Sequence, residues 1–295
     1  MDAGRAVVSS ALAGWSDWIP LQGAGSNHQV SDAAGLYRIR RLTEWSDLDY
    51  IGQTGRSLRG RLGQLGGVYG AVMPYRDPHT GAPALWALRH RDGCDFAASV
   101  TPVRGEVAWR RALEATAITL YRLRSRRSPS ANFGRMPAGY RISTGNNRRL
   151  VASGRRARGG LDSKASAAVD SVPVAGDPWT DPESAMWMNW AWSAWVPIRD
   201  ACTAAAVVGL YRVRCNGLSG LVYVGQGSVA SRLRAHLARG VKEGHRQAPY
   251  FSGDLAASWV ELPGVALLNR LEHENDLIAA HMLATGRPPS AQFLG

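Results

Sequence analysis

The chain of 295 residues repeats itself, and that constrains its fold more than any other feature. The segment WSDWIPL at residues 15–21 returns as WSAWVPI at 192–198, and GLYR at 35–38 returns at 209–212. YIGQ at 50–53 returns as YVGQ at 223–226, Trp86 is matched with Trp259, and SRRSPSANF at 125–133 with TGRPPSAQF at 285–293. The order is kept and the spacing shrinks slowly, as it does when loops differ between two copies of one unit. Two domains are therefore expected, at residues 15–135 and 187–295. A basic and then Gly/Ser/Pro-rich linker is expected at 136–186.

Within each copy the hydrophobic pattern predicts strand, strand, helix, strand, helix, a small α+β unit with a mostly antiparallel three-stranded sheet. In the first copy, strands are expected at 36–40, 49–51 and 84–88. Ser57 would cap a helix carrying Leu58, Leu62 and Leu65, and a long helix would span 103–124. In the second copy, strands are expected near 209–214, 221–224 and 258–262, with helices near 228–239 and 264–284.

The long helices each carry a carboxylate on an apolar stripe. Glu274 falls among Leu267, Leu271, Ile278 and Met282, and Glu114 among Val107, Ile118 and Tyr121. A carboxylate there must be paired, hydrogen-bonded or bound to a metal. An ion pair with Arg110 or Arg270 is one answer, and a functional site is the other. In the second copy Arg232, His236 and Arg239 share one helical face beside Val229, Leu233 and Leu237, a pattern suited to phosphate.

The ordered set GLY (35–37), YIGQ (50–53), Arg61 and Glu114 resembles the GIY-YIG nuclease superfamily. The set GLY (209–211), YVGQ (223–226), Arg232 and Glu274 in EHENDLI resembles it a second time. The resemblance implies phosphodiester hydrolysis with one Mg²⁺ or Mn²⁺ ion per active site, held by Glu114 and by Glu274. It implies Tyr37 and Tyr50, and Tyr211 and Tyr223, as base and positioning groups, with Arg61 and Arg232 on the scissile phosphate. It implies Asn132 as an organiser of the first site, and His236 as the histidine that several members carry after the arginine. The copies depart from the pattern differently: Leu65 stands in place of His236, and Gln292 in place of Asn132.

The partner so implied is double-stranded DNA, cut by one chain acting as a pseudo-dimer in a restriction or genome-defence role. Such a role would bring a cognate methyltransferase. The formal charge of +12 agrees with a polyanion partner. Two other readings stand beside it: a non-catalytic nucleic-acid-binding module, and a repair nuclease that recognises distorted DNA. No phosphate-cradling ATP loop occurs, and Cys94, Cys202 and Cys215 lack metal or disulfide spacing, as in a reducing compartment. The first fifteen residues make a poor signal peptide and no run is long enough to span a bilayer, so a cytoplasmic location is expected. The tryptophans that precede each copy are expected to pack on the sheets. Residues 141–160 hold six arginines and no acid, which fits either a solvated tail or a phosphate-contacting arm.

Overall fold

The computed structural model describes residues 2–43, 47–77 and 79–294. In chain order the elements are α1 (Asp2–Ala13), β1 (Ile19–Pro20), β2 (Gly35–Arg41), β3 (Leu48–Thr54), α2 (Leu58–Leu65), α3 (Ala82–Asp92), β4 (Phe96–Pro102) and α4 (Val107–Ser125). There follow β5 (Tyr140–Arg141), α5 (Arg148–Ala152), β6 (Gly160–Leu161), β7 (Val196–Pro197), α6 (Ile198–Ala204) and β8 (Val208–Cys215). The chain closes with β9 (Leu221–Ser228), α7 (Val229–Gly240), α8 (Ala248–Phe251), β10 (Leu255–Glu261) and α9 (Leu267–Thr285). The fold class is α+β.

Two antiparallel sheets have the same order, β1-β4-β2-β3 and β7-β10-β8-β9. The expected three strands gain a fourth, because Ile19–Pro20 and Val196–Pro197 pair with β4 and β10. Both sheets shift register at the same place, after Ile39 and after Val213. The third strand of the first copy differs from expectation. Residues 84–88 lie inside α3, with Pro83 in its first turn and Gly93 closing it at φ 62°. A five-residue apolar run fits strand or buried helix equally, and the flanking proline and glycine decide for helix. The strand is β4, where Val100 pairs with Tyr37 as Trp259 pairs with Tyr211. Trp86 is therefore no counterpart of Trp259.

The chain divides into two compact units, and their bounds are not the expected ones. The first comprises Ala13–Gly105 and Arg127–Ser171; the second comprises Met1–Leu12, Glu106–Arg126 and Val172–Gly295. In the first unit, Tyr37 and Ile39 of β2 pack with Leu58, Leu62 and Leu65 of α2 and with Leu85 and Leu88 of α3. The segment expected to be a linker is largely folded here: β5 pairs with β6, and Ala168 N–H reaches Met136 O at 3.0 Å.

In the second unit the period of two along β8 separates two cores. Tyr211 and Val213 face Val229 and Leu233 of α7, whereas Leu210 faces Leu277, Ile278 and Ala280 of α9. The tryptophans pack, as expected: Trp192 and Trp195 lie 4.3 and 4.5 Å from Cζ of the buried Arg212, which burial pushes down to about 9. In the first unit Trp15 and Trp18 take the same places, 4.6 and 4.7 Å from Arg38 Cζ.

Helix α4 belongs to the second unit, where it packs on α9. Their contact is held by a fully buried ion cluster. Arg122 Nη1 lies 2.8 Å from Glu272, its Nε and Nη2 lie 3.0 and 3.1 Å from Asp276, and Thr119 Oγ1 donates to Asp276 at 2.9 Å. Burial lifts the Asp276 carboxyl to about 6 against the pull of Arg122. Removing the guanidinium would leave two carboxylates stranded in the interior. Arg122→Ala is expected to destabilise the protein by about 3–5 kcal/mol. Thermal melting checks this, because an Arg122→Met/Glu272→Met/Asp276→Leu triple variant should melt closer to wild type than the single variant does.

Candidate active site

The site of the second unit is laid out by a tyrosine crossing a glycine. Tyr211 on β8 pairs directly with Gly225 on β9. A Cβ at Gly225 would sit 2.5 Å from Tyr211 Cζ, so the third motif position must be glycine for the ring to lie there. Tyr37 and Gly52 repeat the arrangement, with a Cβ at Gly52 falling 2.6 Å from Tyr37 Cζ and from Tyr50 Cε1. The motif glycines 35 and 209 have a different cause. Any side chain there would overlap the carbonyl of the neighbouring strand, at Thr101 and Val260.

A pocket with about 80 Å³ of space open to water collects side chains from four elements. Tyr211 comes from β8, Tyr223 and Gln226 from β9, Arg232, His236 and Arg239 from α7, and Glu274 from α9. The i, i+4, i+7 face of α7 supplies three of these groups. Tyr211 Oη and His236 Nε2 are 2.9 Å apart, and both residues are 2% exposed. The imidazole stacks on Phe251 at 4.6 Å and lies 4.3 Å from the Tyr223 ring, which fixes its plane.

The electrostatics follow from burial. Desolvation, with Arg239 and Arg232 adding to it, drops His236 to about 4, so its imidazole is neutral at pH 7. Tyr211 is held well above the ordinary phenol value by burial, and then by Tyr223 and Glu274. Glu274 reaches solvent through the pocket, yet the surrounding protein lifts its carboxyl to about 7, with only Arg232 opposing. Among the described residues no ion pair or hydrogen bond holds this carboxylate. The alternative of an ion pair with Arg270 is not realised; that guanidinium donates to Gln226 Oε1 at 3.2 Å and to Val265 O.

In the first unit Tyr37 and Tyr50 lie with ring centroids 5.9 Å apart. Arg61 Nη1 meets His79 Nδ1 at 3.2 Å, and Tyr50 Oη meets Thr80 Oγ1 at 3.2 Å. Leu65, which stands where α7 has His236, is buried in the core. His79 arrives instead from the loop before α3, is 4% exposed, and is pushed down to about 3 by burial and by Arg61. No helical or strand period marks it in the sequence. Its one signal is a histidine in the turn segment DPHTG, between the cation on α2 and the glycine that opens α3. Gln226, the fourth residue of YVGQ, also lines the second pocket without standing in the expected site, and Arg239 lines it as its helical face implies. Glu114 lies on α4, in the second unit.

Asn132 meets the backbone of Ile51, the residue between Tyr50 and Gly52 of the YIGQ motif. Its Oδ1 accepts from Ile51 N–H and its Nδ2 donates to Ile51 O, both at 2.9 Å, so the side chain acts as a further strand on the open edge of β3. Gln292 does the same on β9, accepting from Val224 N–H at 3.1 Å, while Ala291 N–H reaches Val222 O at 2.8 Å. Each amide covers a sheet edge that would otherwise present unpaired backbone. The longer amide of the second copy fits because that task needs reach and not one fixed carbon skeleton.

Comparison with protein-family models, curated proteins and solved structures finds no match to the chain. The edge-covering geometry leads to a measurable outcome. Asn132→Ala leaves two buried backbone groups of Ile51 without partners, at about 1–3 kcal/mol each, so the thermal midpoint should fall by several degrees. Asn132→Gln should recover part of the loss.

Proposed function

We propose that the chain is a metal-dependent DNA endonuclease and that the pocket of the second unit hydrolyses phosphodiester bonds with the chemistry of the GIY-YIG enzymes it resembles. The observation that carries this reading is the meeting in one small pocket of an unpaired carboxylate, two arginines and a tyrosine–histidine pair. Core packing alone gives no reason to bring those groups together, and Glu274 is disfavoured there unless a cation joins it.

The donor set suits a hard divalent ion, Mg²⁺ or Mn²⁺, which Glu274 would hold. No cluster of three or more His, Cys, Asp or Glu side chains placed to hold a metal occurs among the described residues. Bound there, the ion supplies charge stabilisation and acidifies water. The remaining work falls to side chains. Arg232 and Arg239 bind the phosphate oxygens, where planar guanidinium matches them. Tyr211 Oη takes the proton of the attacking water while its own proton passes to His236 Nε2, 2.9 Å away, whose imidazole burial and the two arginines keep neutral at pH 7. Tyr223 and Phe251 hold the imidazole in line. A net charge of +12 favours a long polyanion over a small phosphodiester as substrate.

Cutting both strands from one chain needs a second centre, and Tyr37, Tyr50, Arg61 and His79 of the first unit are the groups for that role. Supercoiled plasmid with Mg²⁺ or Mn²⁺ tests both statements. Glu274→Ala should lower cutting by about 100-fold or more, and Arg61→Ala compared with wild type tells nicking from double cutting. Equal survival of plasmid with wild type and with the Arg61→Ala/Glu274→Ala double variant would defeat the nuclease reading.

The rate should also follow the Glu274 carboxyl. A carboxyl raised to about 7 is protonated at pH 6 and ionised at pH 8. At limiting metal, cleavage should therefore rise about tenfold from pH 6 to 7.5 and then level off. Saturating metal should move the rise to lower pH, because the ion competes with the proton.

A further inference from the structure

The arginine run of residues 141–158 is an ordered arm. At its root β5 pairs with β6, Gly159 N–H donates to Ser143 Oγ at 2.8 Å, and Ser143 is fully buried. Higher up, Thr144 N–H reaches Ala157 O at 2.9 Å and Ala157 N–H reaches Thr144 Oγ1 at 2.8 Å. At the tip, Asn147 caps α5 by accepting from Leu150 N–H at 3.0 Å, and Arg155 N–H returns to Leu150 O at 3.0 Å.

The arm is bolted to one loop of the same unit. Arg156 and Arg158 place their Cζ atoms 4.2 and 4.4 Å from the Tyr75 ring centroid, and Arg158 Nη1 donates to Met73 O at 2.8 Å. Asn146 N–H donates to Asp77 at 2.6 Å, and Arg76 N–H to Thr144 O at 3.2 Å. The same loop carries His79, which meets Arg61, and Thr80, which meets Tyr50.

Arg141, Arg148, Arg149, Arg155, Arg156 and Arg158 are all exposed. Among the described residues none of the six pairs with a carboxylate. Exposed cations kept for solubility alone are normally interspersed with acids. Six on a folded backbone, two of them held against an aromatic ring, form a surface whose ordering cost is already met before a ligand arrives.

We propose that the arm of residues 141–158 is a backbone clamp for duplex nucleic acid, which grips phosphates beside the Tyr50–Arg61–His79 group. It extends the nuclease reading, since it names the surface that holds the substrate. An anionic lipid surface fits less well: the arm's one helix has five residues, and Val151 is its one exposed large apolar side chain.

The test uses the full chain carrying Glu114→Gln and Glu274→Gln, so that binding is read without cutting. Anisotropy of a fluorescent duplex of about 30 base pairs, at salt from about 50 to 200 mM, gives affinity and its salt slope. Adding Arg148→Gln, Arg149→Gln and Arg155→Gln should weaken binding by at least about tenfold and reduce the log–log slope by about 2 to 3. The corresponding lysine substitutions should keep most of the slope. These side chains are exposed, so an unchanged melting curve confirms the fold. A parent that does not bind duplex, or a triple glutamine variant with the parent's affinity and slope, overturns the clamp. So does a triple variant that loses only phosphatidylserine vesicles. If duplex binding depends on the arm while wild type cuts nothing, the clamp stands and the nuclease reading falls. If wild type cuts and the slope is unchanged, the clamp alone fails.

Discussion

The Tyr211 ring can lie across β9 because residue 225 has no side chain, and the rest of the pocket is arranged around that ring. Its hydroxyl fixes His236, whose imidazole in turn is clamped between Tyr223 and Phe251. Strand pairing sets where tyrosine meets glycine, and the period of two then assigns the Tyr211 and Val213 side of β8 to the pocket and the Leu210 side to α9. A slip of one residue would move the ring to the opposite face and dismantle both cores at once. Glycine at 225 is thus a condition for the site as much as for the sheet.

Glu274 depends on a second constraint at the far side of its helix. Glu272 and Asp276 are four residues apart and face α4, where Arg122 locks them. Residue 274 lies two steps from each, turned by about 200° from both, so the anchored face of α9 and the pocket face are separate. The buried ion cluster contributes specificity of placement more than stability. A well-packed apolar contact of equal volume would hold the helices about as well, but it would not fix the rotation of α9 with charged, directional contacts.

Much of this arrangement was written in residue spacing. The repeat located both sheets, Ser57 marked the start of α2, where its Oγ accepts from Gly60 N–H at 2.8 Å, and the Arg232, His236, Arg239 face could be drawn from helical geometry alone. Other parts carry no period. The run at 84–88 is too short for its apolar content to distinguish strand from helix. His79 reaches Arg61 across a loop, which no local pattern encodes. The sequence predicts a linker over 136–186 because the order within it comes from side-chain-to-backbone bonds, such as those of Ser143 and Thr144, between residues with little hydrophobic signal. Asn132 kept a recognisable position, but one residue type can cover a strand edge or organise a site, and only its partners tell which.

The central claim is that the Glu274 carboxylate is held in readiness for a divalent cation. Calorimetric titration of Mn²⁺ into the full chain, repeated at pH 6 and pH 8 in buffers of different ionisation enthalpy, tests it directly. The account predicts a binding event that Glu274→Gln abolishes and Tyr211→Phe retains. It also predicts release of about one proton per ion at pH 6 and much less at pH 8, since a carboxyl near 7 must lose its proton to bind. Binding that survives Glu274→Gln unchanged, or that releases no proton at pH 6, would contradict it.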